Sequence, residues 1–243
     1  MNKPVLVIVI PCYNEEEVLP ETAKRLSEKI GRLVSQELVS PKSALLFVDD
    51  GSSDNTWALI EKYHNETPMV LSGLKLQANL GHQKALLDGL FDAKAYADAV
   101  ISIDADLQDD IEVIDKMLES FLAGSEIVLG VRSGRESDGF FKRTSARFFY
   151  RFMRFCGVQL VEDHSDFRLM GKESLNALAE YLAGYNEANL FLRGIVPLLG
   201  HKTATVHYNR KKRFAGKSKY TLRKMLQLAF AGFVLSLKSR GGP

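Results

Sequence analysis

The sequence predicts an α/β protein with a mostly parallel β-sheet flanked by helices. Short apolar runs of strand length alternate with segments of helical period over the first 131 residues, a pattern typical of βαβ units. Polar and acidic residues follow several of these runs directly, at the points where strands should end. With 243 residues, of which 46% are hydrophobic and 26% charged, the chain is long enough to bury a sizeable core.

The apolar runs predict seven strands. The first covers residues 5–10 and should end at Pro11, because proline cannot continue a hydrogen-bonded ladder. The others cover residues 44–48, 69–76, 100–103, 126–131, 163–170 and 202–208. Strands separated by helices over this length favour right-handed crossovers and a sheet whose strand ends share one edge.

Segments of helical period predict the helices between these strands. Asn14 followed by Glu15, Glu16 and Glu17 has the composition of a capped helix start, so the first helix should run from there to about residue 34. Further helices are predicted at residues 55–64, after the turn at 79–82, and at 111–122, 140–156, 173–181 and 187–198. Residues 133–139 have the composition of a loop.

The net charge of +2 hides an uneven distribution. Residues 1–130 hold 11 Lys and Arg against 22 Asp and Glu, whereas residues 131–243 hold 21 against 8. An acidic half that could hold metal is thus joined to a basic half that could hold phosphate. Cys12 and Cys156 are too few for a disulfide framework and are not spaced as a zinc site, which fits a reducing compartment.

The C-terminal segment is first basic and then apolar. Eight of the fifteen residues at 210–224 are Lys or Arg, and residues 225–237 are almost wholly apolar. Thirteen residues fall short of the roughly 20 that span a bilayer. The segment therefore fits a helix in the membrane interface, or an ordinary amphipathic core helix with a basic lead-in. We accordingly divide the chain into a catalytic domain at 1–209 and a basic loop with an interfacial helix at 210–243.

Several nucleotide-binding and metal motifs are absent from the sequence. No G-x-G-x-x-G follows the first strand, so a dinucleotide-binding domain is disfavoured. Gly216-Lys217-Ser218 resembles the tail of a P-loop, but Lys211 stands where the upstream glycine is required. No H-E-x-x-H pair occurs among the five histidines.

Polar side chains collect instead at the predicted strand ends. They are Tyr13, Asn14 and Glu15 after the first strand, Asp49 and Asp50 after the second, Asn79 after the third, Asp104 and Asp106 after the fourth, and Arg132 after the fifth. Asp104 and Asp106 would share a face, and two converging carboxylates suit a hard divalent cation that holds a diphosphate. The alternative is that Asp106, Asp109 and Asp110 cap the next helix, and for Asp109 and Asp110 capping is the preferred interpretation.

These motifs resemble a known family. The stretches Ile10-Pro11-Cys12-Tyr13-Asn14-Glu15, Val48-Asp49-Asp50-Gly51-Ser52-Ser53-Asp54, Asn79-Leu80-Gly81 and Asp104-Ala105-Asp106-Leu107-Gln108 resemble the signature of family-2 inverting glycosyltransferases. Gly130-Val131-Arg132, Asp166-Phe167-Arg168-Leu169-Met170 and Arg213-Phe214-Ala215-Gly216-Lys217-Ser218-Lys219-Tyr220 resemble its polyprenyl-phosphate branch. The resemblance implies the GT-A fold, a mostly parallel Rossmann-like sheet flanked by helices.

The resemblance also implies residue roles. Asp104, Asp106 and Gln108 would hold Mg²⁺ or Mn²⁺ and the diphosphate. Arg132 and Arg213 would contact phosphates of donor or acceptor, and Ser218 and Lys219 would help to order that loop. Asp166 matches a position discussed as a base or an orienting group. The nucleotide sugar would be held by Pro11, Tyr13, Glu15, Val48, Asp50 and Ala105, together with the metal-binding residues.

The implied activity is transfer of a sugar from a nucleotide diphosphate sugar, UDP before GDP, to a polyprenyl phosphate at the cytoplasmic face of the cell membrane. The chain would sit peripherally on that membrane through its C-terminal segment, as a homo-oligomer or with a membrane subunit, and would not bind nucleic acid. Because the acceptor phosphate is already largely ionised near pH 7, Asp166 would orient rather than deprotonate. The alternatives are a glycan hydroxyl acceptor, which needs a true base, and a non-catalytic membrane-surface scaffold.

Overall fold

A computed structural model describes residues 3–133, 164–183 and 190–211 as a sheet with helices on both faces. Its strands are β1 (Leu6–Cys12), β2 (Ala44–Asp49), β3 (Leu71–Lys75), β4 (Ala99–Ser102), β5 (Ile127–Ser133), β6 (His164–Gly171) and β7 (Thr203–Asn209). Its helices are α1 (Leu19–Ser35), α2 (Thr56–Glu66), α3 (His82–Lys94), α4 (Val113–Leu122), α5 (Lys172–Leu182) and α6 (Leu192–Ile195), which continues into a 3-10 helix at Val196–Leu199.

The sheet has the strand order β3-β2-β1-β4-β6-β5-β7. All neighbouring pairs are parallel except those of β6, which runs antiparallel to β4 and to β5. The predicted mostly parallel α/β fold is therefore confirmed. Because β6 is reversed, its residue Arg168 pairs with Ser102 at the end of β4. The beginning of β6 thus lies at the same sheet edge as the carboxyl ends of the parallel strands.

Helices cover both faces of the central sheet, which explains why β1, β2 and β4 are buried and mostly apolar, whereas the edge strands β3 and β7 are partly exposed. Along β1, Leu6, Ile8 and Ile10 pack into the core under α1 and α4, whereas Val7 and Val9 pack into the core under α3 and α5. Helix α3 lies unusually close to the sheet. A Cβ on Gly89 would come within 2.6 Å of a Val9 methyl group and 2.7 Å of a Val48 methyl group.

The prediction that the first strand ends at Pro11 is wrong, because β1 continues to Cys12. Pairing of β1 with β4 stops at Val9 and Ser102, so at Pro11 the strand has only β2 beside it. Proline is tolerated where one side of a strand has no ladder to complete.

The predicted start of the first helix at Asn14 is also wrong, because α1 begins at Leu19 with Pro20 in its first turn. The polar residues ahead of it bind the loop after β2 instead of capping the helix. Asn14 Oδ1 accepts a hydrogen bond from the Ser53 amide at 2.8 Å, and Glu16 Oε2 accepts two from Asn55.

The remaining predicted elements fall partly outside the described residues. The loop at 134–139, the helix at 140–156 and nearly all of the proposed C-terminal segment at 210–243 lie there, as do residues 187–189 of the helix predicted at 187–198. From residue 192 that prediction holds as α6 and the 3-10 helix. Within the described part of the chain, none of the helices has the length and apolar character needed to cross a membrane.

Candidate active site

A cleft opens at the carboxyl edge of the sheet, beside the ends of β1, β2 and β4 and the beginning of β6. It contains about 830 Å³ of space including the part open to solvent. We call it the acidic cleft, because five of its lining residues are carboxylic acids. It is lined by Pro11, Cys12, Tyr13, Glu15, Asp50, Asn79, Gly81, His82, Ala85, Asp104, Ala105, Asp106, Asp166 and Arg193.

Most of the residues expected to hold a nucleotide sugar line this cleft. They are Pro11, Tyr13, Glu15, Asp50, Asp104, Ala105 and Asp106. Val48 does not line it, because its side chain is fully buried in the core beneath α3. Gln108 and Arg132 also lie outside its wall. Arg213, Ser218 and Lys219 fall outside the described residues, so their assignments stay predictions.

Asp50 fastens the turn that precedes α3. Its two carboxylate oxygens accept hydrogen bonds from the backbone amides of Leu80 at 2.7 Å and Gly81 at 3.0 Å. Burial raises the pKa of Asp50 although these two amides act in the opposite direction. The next residue must be glycine, because Gly51 has φ +66° and its Cβ would lie 2.6 Å from the Ala78 carbonyl carbon.

Asp104 and Asp106 lie on the loop between β4 and α4. The Thr22 hydroxyl of α1 donates to the Ala105 carbonyl between them at 2.7 Å, and Asp106 Oδ1 accepts from the Gln108 amide at 3.1 Å. Leu107 has φ +55°, which is uncommon for a residue with a branched side chain. Burial raises the pKa of Asp104, and Asp109, Asp166 and Asp106 raise it further, against the opposing effect of His82. Negative charge is therefore concentrated at this loop.

Gln108 is held by the residues that follow β7. Its amide oxygen accepts a hydrogen bond from Arg210 Nη2 at 2.5 Å, and its side-chain nitrogen donates to the Lys211 carbonyl at 3.4 Å. Its backbone carbonyl accepts from the Lys211 amide at 2.8 Å. In this arrangement the amide oxygen that would ligate a cation is already bound, and the role of Gln108 as a metal ligand stays a prediction.

Asp166, near the beginning of β6, accepts hydrogen bonds from several side chains. Arg168 Nη2 donates to Oδ1 at 2.7 Å, while Arg193 Nη2 at 2.9 Å and Gln83 Nε2 at 3.3 Å donate to Oδ2. His82 Nε2 lies 3.6 Å from the same Oδ2 and 3.6 Å from Asp104 Oδ1. Burial would raise the pKa of Asp166, but the two guanidinium groups and His82 hold it well below its ordinary value.

His82, Gln83, Arg168 and Arg193 were not predicted as site residues. Arg168 and Arg193 each stand alone in an apolar context, between Phe167 and Leu169 and between Leu192 and Gly194-Ile195. A single charge in a buried run must find a partner, which is the signal that could have identified both. His82 and Gln83 open α3, and only the fold brings them to Asp166. Although burial lowers it, the Asp166 and Asp104 carboxylates raise the pKa of His82.

Arg132 lies beside the cleft in a second polar cluster. Its Nε donates to the Tyr208 hydroxyl at 3.2 Å and its Nη2 to Asp109 Oδ1 at 3.3 Å. The preferred interpretation of Asp109 as a helix cap is therefore wrong, because its buried carboxylate pairs with Arg132 and Tyr208. Asp110 does contact the residue before α4, since its Oδ1 accepts from the Glu112 amide at 3.3 Å, and it also pairs with Lys211.

The donor set fits a cation that is shared with a substrate. Within the described ranges, no group of three or more His, Cys, Asp or Glu side chains is arranged to hold a metal ion. Asp104 and Asp106 offer hard oxygen ligands one residue apart on the loop after β4, in the wall of the acidic cleft. Mg²⁺ and similar ions are commonly held by one or two carboxylates plus substrate phosphates, so these residues suit such an ion.

An acidic loop after a central parallel strand, facing a reversed strand across one cleft, is the arrangement of a GT-A glycosyltransferase. The chain belongs to glycosyl transferase family 2, whose profile matches residues 7–179. It is 56% identical over 233 residues to the uncharacterized glycosyltransferase YkoT of Bacillus subtilis, covering 95% of this chain and 67% of that protein. It is 38% identical over 226 residues to the bactoprenol glucosyl transferase of Shigella phage SfV, covering 93% and 69%. The chain thus spans about two thirds of the length of these relatives.

Solved structures share the fold. Mannosyl-3-phosphoglycerate synthase from Rubrobacter xylanophilus matches 98% of this chain and 74% of its own at a TM-score of 0.60 and 16% identity. Glucosyl-3-phosphoglycerate synthase from Mycobacterium tuberculosis, solved with Mn²⁺ and UDP-glucose, matches 99% and 80% at a TM-score of 0.58 and 19% identity. At such identities the likeness is one of fold.

Proposed function

We propose that this glycosyltransferase moves one sugar from a nucleotide diphosphate sugar, with UDP as the preferred nucleotide, to a polyprenyl phosphate. An acceptor phosphate oxygen forms the new bond to the anomeric carbon with inversion. The bond from that carbon to the diphosphate breaks, and the nucleoside diphosphate leaves with the electron pair. Relatives named bactoprenol glucosyl transferase, 37–38% identical over most of this chain, support the acceptor class.

The observation that carries this proposal is the concentration of carboxylates around Asp104 and Asp106 in the wall of the acidic cleft. Asp50 has two backbone amides and Asp166 has two arginines. Asp109, Asp166 and Asp106 all raise the pKa of Asp104 against the opposing effect of His82, and Asp104 and Asp106 both line the cleft. A bound Mg²⁺ or Mn²⁺ would neutralise them and stabilise the charge that develops on the leaving diphosphate.

Asp166 is suited to orientation rather than to proton abstraction. A carboxylate whose pKa is held far below its ordinary value by two guanidinium groups is a weak base at neutral pH. A phosphate monoester has its second pKa near about 6, so the acceptor needs alignment more than deprotonation. A hydroxyl acceptor would demand the stronger base, and the contacts of Asp166 therefore favour the phosphate acceptor.

The surroundings of the cleft supply the other roles. Arg132, at the sheet edge beside the cleft, would contact a donor or acceptor phosphate. Arg213, Ser218 and Lys219 would extend this basic surface. The segment at 210–243, which begins on the Gln108 turn, would bring the chain to the cytoplasmic face of the membrane where the acceptor resides.

Calorimetric titration of the protein with UDP and with GDP, each with and without Mn²⁺, tests the donor side. We expect Mn²⁺-dependent binding of UDP in the wild type and its loss in Asp106→Asn. Asp88→Asn is the matched control, because Asp88 pairs with Lys84 on α3 and does not line the cleft. Transfer of labelled sugar to a short-chain prenyl phosphate tests the acceptor side. A folded protein that binds neither nucleotide would refute the proposal in favour of a non-catalytic scaffold.

A further inference from the structure

Arg132 is held by a buried polar anchor, which we define as Asp109, Ser165 and Tyr208. These residues come from three separate parts of the chain, the loop before α4 and strands β6 and β7. Asp109 is 2% exposed, Tyr208 4% and Ser165 0%. Arg132 itself is only partly covered, since 24% of its side chain is exposed. A partly exposed cation is thus fixed by groups that are themselves out of solvent.

The protons of this anchor can be assigned from its contacts. Tyr208 has one proton and lies 2.5 Å from Asp109 Oδ1, which as a carboxylate oxygen accepts, so the hydroxyl donates to Asp109. Ser165 Oγ, 2.9 Å away, must then donate to the Tyr208 oxygen, and Arg132 Nε donates to it as well at 3.2 Å. Ser165 Oγ in turn accepts from the Phe167 amide at 3.3 Å. Every member has a single consistent role, which leaves the Tyr208 hydroxyl little freedom to rotate.

The anchor binds one side of the Arg132 guanidinium and leaves the other side open. Nε and Nη2 are engaged by Tyr208 and Asp109. Nη1 has no hydrogen-bond partner among the residues that the structure describes. The group lies at the carboxyl edge of β5, in electrostatic range of Arg193 in the wall of the acidic cleft. The open side can thus offer a donor and a positive charge beside the cleft.

We propose that Asp109 and Tyr208 are positioning residues that hold Arg132 ready to bind a phosphate group of a substrate. This inference rests on the proposed function, in which Arg132 contacts a donor or acceptor phosphate. Tyr208 acts through Arg132 and does not touch the substrate itself. A fixed guanidinium binds an anion more tightly than a mobile one, because less side-chain freedom is lost on binding.

Packing alone does not explain the Tyr208 hydroxyl and the Asp109 carboxylate of the anchor. The Tyr208 ring packs edge-on against Phe167, with ring centroids 5.5 Å apart and planes at 83°, and Tyr208→Phe would preserve that contact while removing the hydroxyl. Asp109 Oδ2 is buried without a hydrogen-bond partner in the described part of the chain. The carboxylate is therefore retained at a cost, which is understandable if its charge serves Arg132.

A double-mutant cycle on binding separates positioning from stability. Calorimetry would measure the affinities of the wild type, Tyr208→Phe, Arg132→Gln and the double variant for two probes, UDP with Mn²⁺ and a water-soluble short-chain prenyl phosphate. Tyr96→Phe is the matched control. Its hydroxyl also donates to a carboxylate, that of Asp92 at 3.4 Å, but at the far end of α3. Asp109→Asn provides a second variant of nearly the same shape, and thermal melts check that each variant is folded.

We expect Tyr208→Phe to weaken one of the two probes by about tenfold, and to cause no further loss once Arg132 is glutamine. The probe that is affected identifies the phosphate as that of the donor or of the acceptor. In turnover assays the change should appear in the KM of that substrate, with kcat within about twofold of the wild type. Additive losses in the double variant, an equal loss in Tyr96→Phe, or unchanged affinities in both Tyr208→Phe and Asp109→Asn would overturn the inference. If Tyr208 and Arg132 are coupled but no sugar is transferred to a prenyl phosphate, the proposed acceptor is refuted and the positioning role is supported.

Discussion

Replacement of Asp166 by asparagine removes the countercharge of a fully buried arginine. Arg168 is 0% exposed, and its Nη2 donates to Asp166 Oδ1 at 2.7 Å, while its Nε and Nη1 have no hydrogen-bond partner in the described part of the chain. An asparagine would also turn its amide group towards one of the two guanidinium groups. Removing one partner of a buried ion pair typically costs ~3–5 kcal/mol. Since Arg193 is 29% exposed and water can partly replace its contact, we expect about 3 kcal/mol.

The pH dependence of this loss follows from the depressed pKa of Asp166. A carboxyl group whose pKa is lower in the folded than in the unfolded protein stabilises the fold above its unfolded pKa, which is about 3.9. That stability is lost as the pH falls towards the folded pKa. The difference in unfolding free energy between wild type and Asp166→Asn should therefore be constant from about pH 5 to pH 8 and shrink below about pH 4. Melting temperatures should differ by roughly 6–12 °C at pH 7.

Asp166→Asn should affect the rate of sugar transfer less than it affects the stability of the fold. If Asp166 only orients the site, saturating rates of sugar transfer to a prenyl phosphate at a temperature where both proteins are folded should fall by no more than about tenfold. General bases commonly contribute about 10²–10⁴-fold. Asp88→Asn serves as the control on α3. A loss above a hundredfold in a folded variant that still binds nucleotide, together with disappearance of an acidic limb in the pH–rate profile, would refute the orienting role and favour a hydroxyl acceptor.

Three further outcomes test the scaffold around the cleft. Thr22→Val removes the hydrogen bond to the Ala105 carbonyl. It should lower the free energy of unfolding by about 1–3 kcal/mol in denaturation experiments and weaken Mn²⁺-dependent UDP binding in calorimetry, whereas Thr22→Ser should leave both quantities unchanged. Gly89→Ala should lower the urea midpoint of unfolding by an amount equivalent to about 1–3 kcal/mol, because α3 lies against the valines of the sheet. Gly31→Ala should raise the midpoint, because a Cβ added at Gly31 would have nothing within 4 Å. Lys29→Met should change stability little, because the partners of Lys29, Glu112 at 2.8 Å and Asp115 at 2.7 Å, are partly exposed and remain solvated. Lys29→Ala should cost about 2–3 kcal/mol because it leaves a cavity.

The sequence predicts much of the cleft because of one property of parallel sheets. If β1, β2 and β4 run in the same direction, the residues that follow them must meet at one edge. Tyr13, Asp50 and Asp104 could therefore be placed together from the positions of three apolar runs. The ends of these strands were less predictable. Pro11 continues β1 because β4 ends early beside it, and the length of a neighbouring strand cannot be read from the sequence of β1.

Apolar periodicity also carries no information about strand direction. β6 was predicted as a strand, but only its reversal explains why the site residue lies at its beginning. Asp166 near the start of a parallel strand would lie at the opposite edge of the sheet, away from Asp104. Resemblance to a family identified Asp166, whereas the residue pattern alone would have placed it wrongly.

The interpretation of Asp109 shows why roles in buried polar networks escape sequence reasoning. An aspartate shortly before a helix usually caps it, which is what the sequence predicts for Asp109. Its actual partners, Arg132 and Tyr208, are 23 and 99 residues away. They come within reach because β5 and β7 are paired with Arg132 opposite Tyr208. A carboxylate that lies near a helix in sequence but is buried in the fold needs a hydrogen-bonding or charged partner. The order of the strands decides which cation or hydroxyl lies close enough to be that partner. The function of Asp109 is therefore decided by topology, and a coupling measurement that combines Asp109→Asn with Arg132→Gln would add to what the single substitution shows.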